Sequence, residues 1–510
     1  MTSMKSGARR ALVPAVAALA AAALLLSGCA PEGTAAPDSE SAKQQRAFAA
    51  VYEQSLDWGF CGDDEAASEE MAAQLRDAGG RVEGMTCATI RAPFDWNDPS
   101  NDKTIGLRAV FFPSTGAGEK IGTLFSNPGG PGGSGINFAA GMTVGPTFEA
   151  LQAQYDFIGF DPRGIGASSP LQCESSSSLL ELDLARCAEE DPLALSMGTT
   201  QVARDMELMR HLLGEDVLNY AGFSYGTVIG ASYLTLFPER VGRIMLDSAW
   251  PSDWSSPLGS YLQSEAIVQA MSQLLEGCGQ QYEVSSCPVA SGTQFDDTLL
   301  RLDAQPLVAS DGTEIDGSMF EGYLTSGLYT LQEGRERALD TAGRAISGEQ
   351  AAIDELAAQM ATGGSKVGLS GMVVRCLSSP RNPGIMDVYR YIEAHGLPEH
   401  LGGPEINDET LKRWIDLGCD GLPDSGEDNL MFSNASERPV LVFGITGDHA
   451  TPYAGAQQMV EELGNARLVT LEGSGHIASF QGRSKCADDI ATAFMLRGEL
   501  PAAGTVCADD

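Results

Sequence analysis

Apolar runs of four to eight residues recur through the first half of the chain with helix-period segments between them. Strand-like runs lie at Ile105 to Phe112, Gly122 to Ser126, Tyr155 to Phe160, Val217 to Ala221 and Arg243 to Leu246. The spacing predicts a helix over Thr200 to Leu213 and another over Thr227 to Phe237, stopped by Pro238. Strands that alternate with helices point to an α/β protein with a mostly parallel sheet. From about Trp250 to Asn434 the strand signal nearly vanishes. Helix-period runs replace it at Leu258 to Leu275, Phe295 to Leu302, Met319 to Gln332, Arg335 to Ile346 and Glu349 to Met360. A strand–helix–strand unit returns with Val440 to Ile445, Ala454 to Leu463 and Arg467 to Leu471, and a last helix spans Ala487 to Arg497. The expected organisation is a sheet core over 46–250, a helical cap over 251–434 and the rest of the core over 435–510.

The first 28 residues break this pattern. Lys5, Arg9 and Arg10 precede an apolar run from Ala11 to Leu26, short for a spanning helix and suited to a signal peptide. It ends in Leu26-Ser27-Gly28-Cys29, which resembles a bacterial lipobox with Cys29 as the lipid-bearing first mature residue. Residues 29–45, rich in Ala, Pro, Ser and Glu, read as a flexible tether. The expected location is the outer face of a cell membrane, held by lipid on Cys29.

Charge narrows the partners. The formal net charge is −37, and loss of the three basic residues of the leader makes it more negative. Nucleic acid is excluded as a partner, whereas a substrate carrying a positive group is attracted. Eleven cysteines leave ten beyond Cys29. They fall into neighbouring couples, and five local disulfides are expected: Cys61/Cys87, Cys173/Cys187, Cys278/Cys287, Cys376/Cys419 and Cys486/Cys507. The absence of Cys-x-x-Cys pairs and the scarcity of histidine argue against a metal centre, and no cofactor is expected.

The chemistry centres on Gly222-Phe223-Ser224-Tyr225-Gly226. A Gly-x-Ser-x-Gly stretch between a strand and a helix has the context of a nucleophile elbow. A serine needs a base, and the chain has five histidines: His211, His395, His400, His449 and His476. His476, just past the final strand of the strand–helix–strand unit, satisfies the order serine, acid, histidine. Two aspartates end strands between Ser224 and His476. Asp448 is preferred because its loop neighbours that of His476, with Asp247 as competitor and a structural role expected for it at the cap entry. The oxyanion needs backbone N–H donors. Tyr225 follows the nucleophile, and Asn127-Pro128-Gly129-Gly130-Pro131-Gly132-Gly133-Ser134-Gly135 supplies a Gly-rich loop, with Gly130 as the expected second donor.

These motifs, together with Cys87-Ala88-Thr89-Ile90, Pro93-Phe94-Asp95-Trp96, Asp161-Pro162-Arg163-Gly164-Ile165-Gly166, Asp448-His449-Ala450-Thr451-Pro452 and Gly504-Thr505-Val506-Cys507, resemble the bacterial tripeptidyl aminopeptidases, relatives of proline iminopeptidases. The resemblance implies an α/β-hydrolase fold, a helical cap, Ser224 as nucleophile, Asp448 as acid and His476 as base. It implies a lipid-anchored exopeptidase that releases short pieces, tripeptides in the family's name, from peptides or proteins with a free N-terminus. A carboxylesterase acting on envelope lipids or small esters is the alternative, and a substrate-binding lipoprotein has no need of such a triad. Cap carboxylates that could receive a substrate amine are Glu265, Glu276, Asp311, Glu314, Asp316 and Glu321.

Overall fold

The computed structural model describes residues 39–61, 73, 75–173, 179–289, 292–363, 366–378, 385–397, 401, 419–422 and 430–509. The leader, Cys29 and His400 lie outside them. Twelve strands are described: β1 Gly59–Phe60, β2 Thr86–Pro93, β3 Thr104–Phe112, β4 Gly122–Asn127, β5 Tyr155–Phe160, β6 Leu218–Phe223, β7 Val241–Asp247, β8 Leu307–Val308, β9 Glu314–Ile315, β10 Val440–Gly447, β11 Ala466–Ser474 and β12 Thr505–Ala508. Ten of them form one sheet in the order β1-β2-β3-β5-β4-β6-β7-β10-β11-β12. Pairing is antiparallel from β1 to β5 and parallel from β5 to β12.

The parallel strands read as near-continuous apolar runs because both faces are covered. On one face lie α1 (Glu40–Ala47), α3 (Leu180–Glu190), α4 (Thr199–Leu212), α5 (Gly226–Leu236) and α13 (Tyr453–Leu463), and on the other α2 (Gly135–Gly141) and α14 (Lys485–Arg497). Strand order reverses at β4: β5 lies on one side of it and β6 on the other. Loops leaving the carboxyl ends of β4 and β6 therefore part at this point and leave a crevice between them, the usual ligand position in such sheets.

Between β7 and β10 the chain forms α6 (Pro257–Glu276), α7 (Gly292–Ala304), α8 (Gly317–Leu328), α9 (Gln332–Ile346), α10 (Gln350–Gly363), α11 (Lys366–Leu377) and α12 (Ile385–His395). Helices α6 to α10 share an apolar core of their own, built around Leu302, Phe320, Leu324, Leu339 and Leu356. The small hairpin β8–β9 interrupts them.

The tether expected over 29–45 is corrected at its end. Helix α1 begins at Glu40, with Ser39 Oγ accepting from Ala42 N–H as its N-cap. It stays on the core because its polar side chains find buried partners: Ser41 Oγ donates to Glu207 at 2.5 Å, and Gln44 Nε2 donates to Tyr52 Oη and to the Arg204 carbonyl. Composition alone hides this, since the anchoring contacts are polar.

Disulfides join Cys61 to Cys87, Cys173 to Cys187, Cys278 to Cys287, Cys376 to Cys419 and Cys486 to Cys507. Among the described residues no helix is long and apolar enough to cross a membrane.

Candidate active site

Ser224 sits in the turn between β6 and α5 with φ +55°, a left-handed conformation that a non-glycine residue adopts only where its surroundings hold it. Its N–H donates to the Asp247 carbonyl at 2.9 Å. The glycines on either side answer to space. A Cβ at Gly222 would lie 2.5 Å from the Gly226 carbonyl oxygen, and one at Gly226 would lie 2.5 Å from that of Asn127. The turn can be this tight only without those side chains.

The Gly-rich loop after β4 lies against this turn. Gly129 has φ +99°, and a Cβ there would come 2.7 Å from Ser224 Cβ and 2.8 Å from the Tyr225 nitrogen. The N–H of Gly129 is engaged by Asn127 Oδ1 at 2.9 Å, while Gly130, with φ +113°, follows it. Asp161 secures the far end of the loop by accepting from Ser134 Oγ at 2.6 Å and from Ile136 N–H. Arg163, two residues on, is fully buried and donates to both oxygens of Asp205 and to the Pro93, Phe94 and Ser196 carbonyls. The Tyr225 hydroxyl is 2.8 Å from Thr199 Oγ1, and its ring lies against Trp254.

Asp448 follows β10, and His476 follows β11. The imidazole Nδ1 lies 3.0 Å from each carboxylate oxygen of Asp448. An ionised carboxylate only accepts, so Nδ1 carries the proton and Nε2 presents its lone pair. Asp448 also accepts from the Ala450 and Thr451 N–H groups and from Thr451 Oγ1. Burial pushes its pKa up, but His476 and these donors outweigh burial and hold it below the usual carboxylate value. The Nε2 of His476 is buried and has no hydrogen-bond partner among the described residues, so Ser224 Oγ does not bond it in this conformation.

Among the described residues Asp247 makes no hydrogen bond to the imidazole ring. Its carboxylate accepts from the Ala478 and Ser479 N–H groups and from Ser479 Oγ, and the neighbouring Ser248 Oγ accepts from Ile477 N–H. Its structural role is therefore in bracing the histidine loop, rather than at the cap entry as expected. Through its carbonyl the same residue also holds the elbow.

Of the other histidines, His211 lies in α4 and His395 at the end of α12. His449 is buried beside Tyr329, whose ring meets the imidazoles of both His449 and His476 edge-on at 4.5 and 5.6 Å. Sequence reasoning passed over Thr451, Ser479 and Tyr329. Only Thr451 left a signal: an Asp followed three residues on by Thr is a local side-chain-to-backbone turn pattern.

A cavity of about 290 Å³ lies between α6 and the loops after β7 and β10. Trp250, Trp254, Leu262, Glu265 and Tyr453 line it, and Asp448 borders it. Of the six carboxylates singled out from the sequence, Glu265 alone reaches this cavity, where it accepts from Tyr391 Oη at 3.0 Å. Asp316 caps α8, Asp311 accepts from Thr313 N–H, Glu321 borders a separate groove, and Glu276 and Glu314 are exposed.

A parallel sheet with a strained serine at its switch point and an Asp–His pair on the next loops defines an α/β-hydrolase of the serine-hydrolase class. A family model described as alpha/beta hydrolase fold matches residues 122–265, and one described as TAP-like protein matches 407–507. Serine protease Hip1 of Mycobacterium tuberculosis is 26% identical over 477 residues, covering 83% of this chain and 87% of that protein. Tripeptidyl aminopeptidase of Streptomyces lividans is 28% identical over 463 residues, covering 83% and 84%. Carboxylesterase B of Mycobacterium tuberculosis is 27% identical over 483 residues, covering 83% and 86%. These matches make the chain similar to the tripeptidyl aminopeptidases within the α/β-hydrolase fold.

Proposed function

We propose that Ser224, His476 and Asp448 form the catalytic triad of an exopeptidase that releases short peptides, tripeptides among them, from free N-termini. The observation that carries this reading is the imidazole held by both oxygens of Asp448, with Ser224 strained at the crevice beside the Gly-rich loop. Ser224 Oγ attacks the scissile carbonyl and passes its proton to His476 Nε2. The N–H groups of Gly130 and Tyr225 receive the oxyanion. The C–N bond then breaks as His476 protonates the leaving amine, and water repeats the sequence on the acyl-enzyme to free the acid and Ser224. Hydrogen bonds of such sites commonly close only around substrate, which suits the unpaired Nε2.

The helices of 251–434 act as a cap over a core made of 46–250 and 435–510. Glu265 receives the substrate's α-ammonium, since of the six candidate carboxylates it alone lines the cavity that borders Asp448. Cys29 carries lipid and tethers the enzyme to the outer face of the membrane. A fluorophosphonate probe is expected to label the wild type and not Ser224→Ala; equal labelling removes the mechanism. Free-amine peptides are expected to be cleaved and N-acetylated ones spared; equal rates remove the exopeptidase reading.

The largely apolar, aromatic lining of the same cavity supports a second reading, hydrolysis of carboxylic esters by the same triad. Under that reading acetylation of the amine is without effect and ester analogues outrun peptides.

A further inference from the structure

A second, smaller cavity of about 60 Å³ lies behind the histidine loop, bordered by Arg335, His449, Ser474, Gly475, Gln273 and Tyr282. No Asp or Glu borders it, in a chain with 69 acidic residues. Both ring nitrogens of His449 are buried without a hydrogen-bond partner among the described residues, and so is Nε of Arg335. The terminal nitrogens of Arg335 hold Ser474, Nη1 donating to its Oγ at 3.0 Å and Nη2 to its carbonyl at 3.3 Å. Arg335 has no ion pair with a carboxylate among the described residues.

Orphaned buried donors of this kind cost about 1–3 kcal/mol each unless something accepts from them. A neutral imidazole offers one N–H, and Arg335 offers its Nε–H with a full positive charge. Only an acceptor satisfies both, and an anion does so best beside an unpaired guanidinium. A cavity of about 60 Å³ has room for one halide-sized ion with water beside it.

We propose that this cavity is a binding site for a small monovalent inorganic anion of chloride size, held by Arg335 and His449. The anion links α9 to the loop that presents His476, because Arg335 grips Ser474 two residues before that histidine. The site stands independently of the triad assignment, and its test reads binding and stability rather than turnover.

Crystals soaked in sodium bromide and measured at the bromine edge are expected to show an anomalous peak between Arg335 and His449. Melting in sodium chloride, compared with sodium gluconate at equal ionic strength, is expected to rise saturably by roughly 2–4 °C. His449→Phe and Arg335→Gln are expected to lose that chloride increment. Absence of the bromide peak in the wild type overturns the site and leaves the cavity to water. So does a chloride increment that persists in both variants. If either variant fails to fold, the bromide experiment on the wild type decides.

Discussion

Asp448 and Asp247 both end β-strands and both lie buried near His476, but their partners divide their work. Asp448 faces the imidazole nitrogen, whereas Asp247 faces the backbone behind it. Asp448→Asn is expected to lower kcat about 10⁴-fold with little change in melting, because the amide favours the wrong tautomer. Asp247→Asn is expected to cost about 1–3 kcal/mol of stability, since an amide oxygen cannot satisfy all three donors. Steady-state kinetics and urea melts on both variants separate the roles. His449 carries a second expectation. Burial holds its pKa down to about 4, against about 6.5 in an unfolded chain. The unfolded chain therefore binds the proton first as pH falls. Stability is lost from about pH 6.5 down to about pH 4, and the contribution is level below that. In chloride-free buffer the wild type should lose stability relative to His449→Phe, on the order of 2 kcal/mol between pH 7 and 4.5, read from urea melts at each pH. Chain order was enough to nominate Ser224, Asp448 and His476 from sequence. The partners Ser479 and Tyr329 were not legible, because they reach the site across 232 residues in one case and from the end of α8 in the other.

At the scale of elements, the parallel strands were legible where burial on both faces makes them apolar throughout, as in β5, β6 and β10. Strand β2 alternates buried and exposed positions and carries Arg91 and Pro93, so it passed unnoticed; β12 is a four-residue edge strand. Helix α11 escaped because Gly368 and Gly371 weaken its pattern. Gly371 has a reason to be glycine: a Cβ there would lie 2.4 Å from the Pro131 carbonyl oxygen. Here α11 touches the Gly-rich loop directly. Gly371→Ala is expected to push the two apart and lower kcat about ten-fold or more while KM changes less, as a misplaced oxyanion donor would. Unchanged kinetics in a folded variant would show the loop indifferent to α11.

For the whole molecule, 69 acidic against 32 basic residues set a strongly negative field. Substrates with a free amine should be drawn in by it, and screening should undo the effect. The kcat/KM for a free-amine peptide is expected to fall several-fold between about 0.01 and about 0.5 M sodium gluconate. That for a neutral ester should hold steady. Stopped-flow or initial-rate measurements at low substrate check both.

The insertion between β7 and β10 also orders events in time. Ser224 leaves the ribosome 224 residues ahead of Asp448, roughly 10–45 s earlier at ordinary rates of synthesis. Throughout that interval the chain carries Ser224 without Asp448 or His476, the partners proposed for it. On the proposed triad, a product truncated anywhere within the helical segment is expected to be hydrolytically silent, because it lacks β10 and β11 and with them Asp448 and His476.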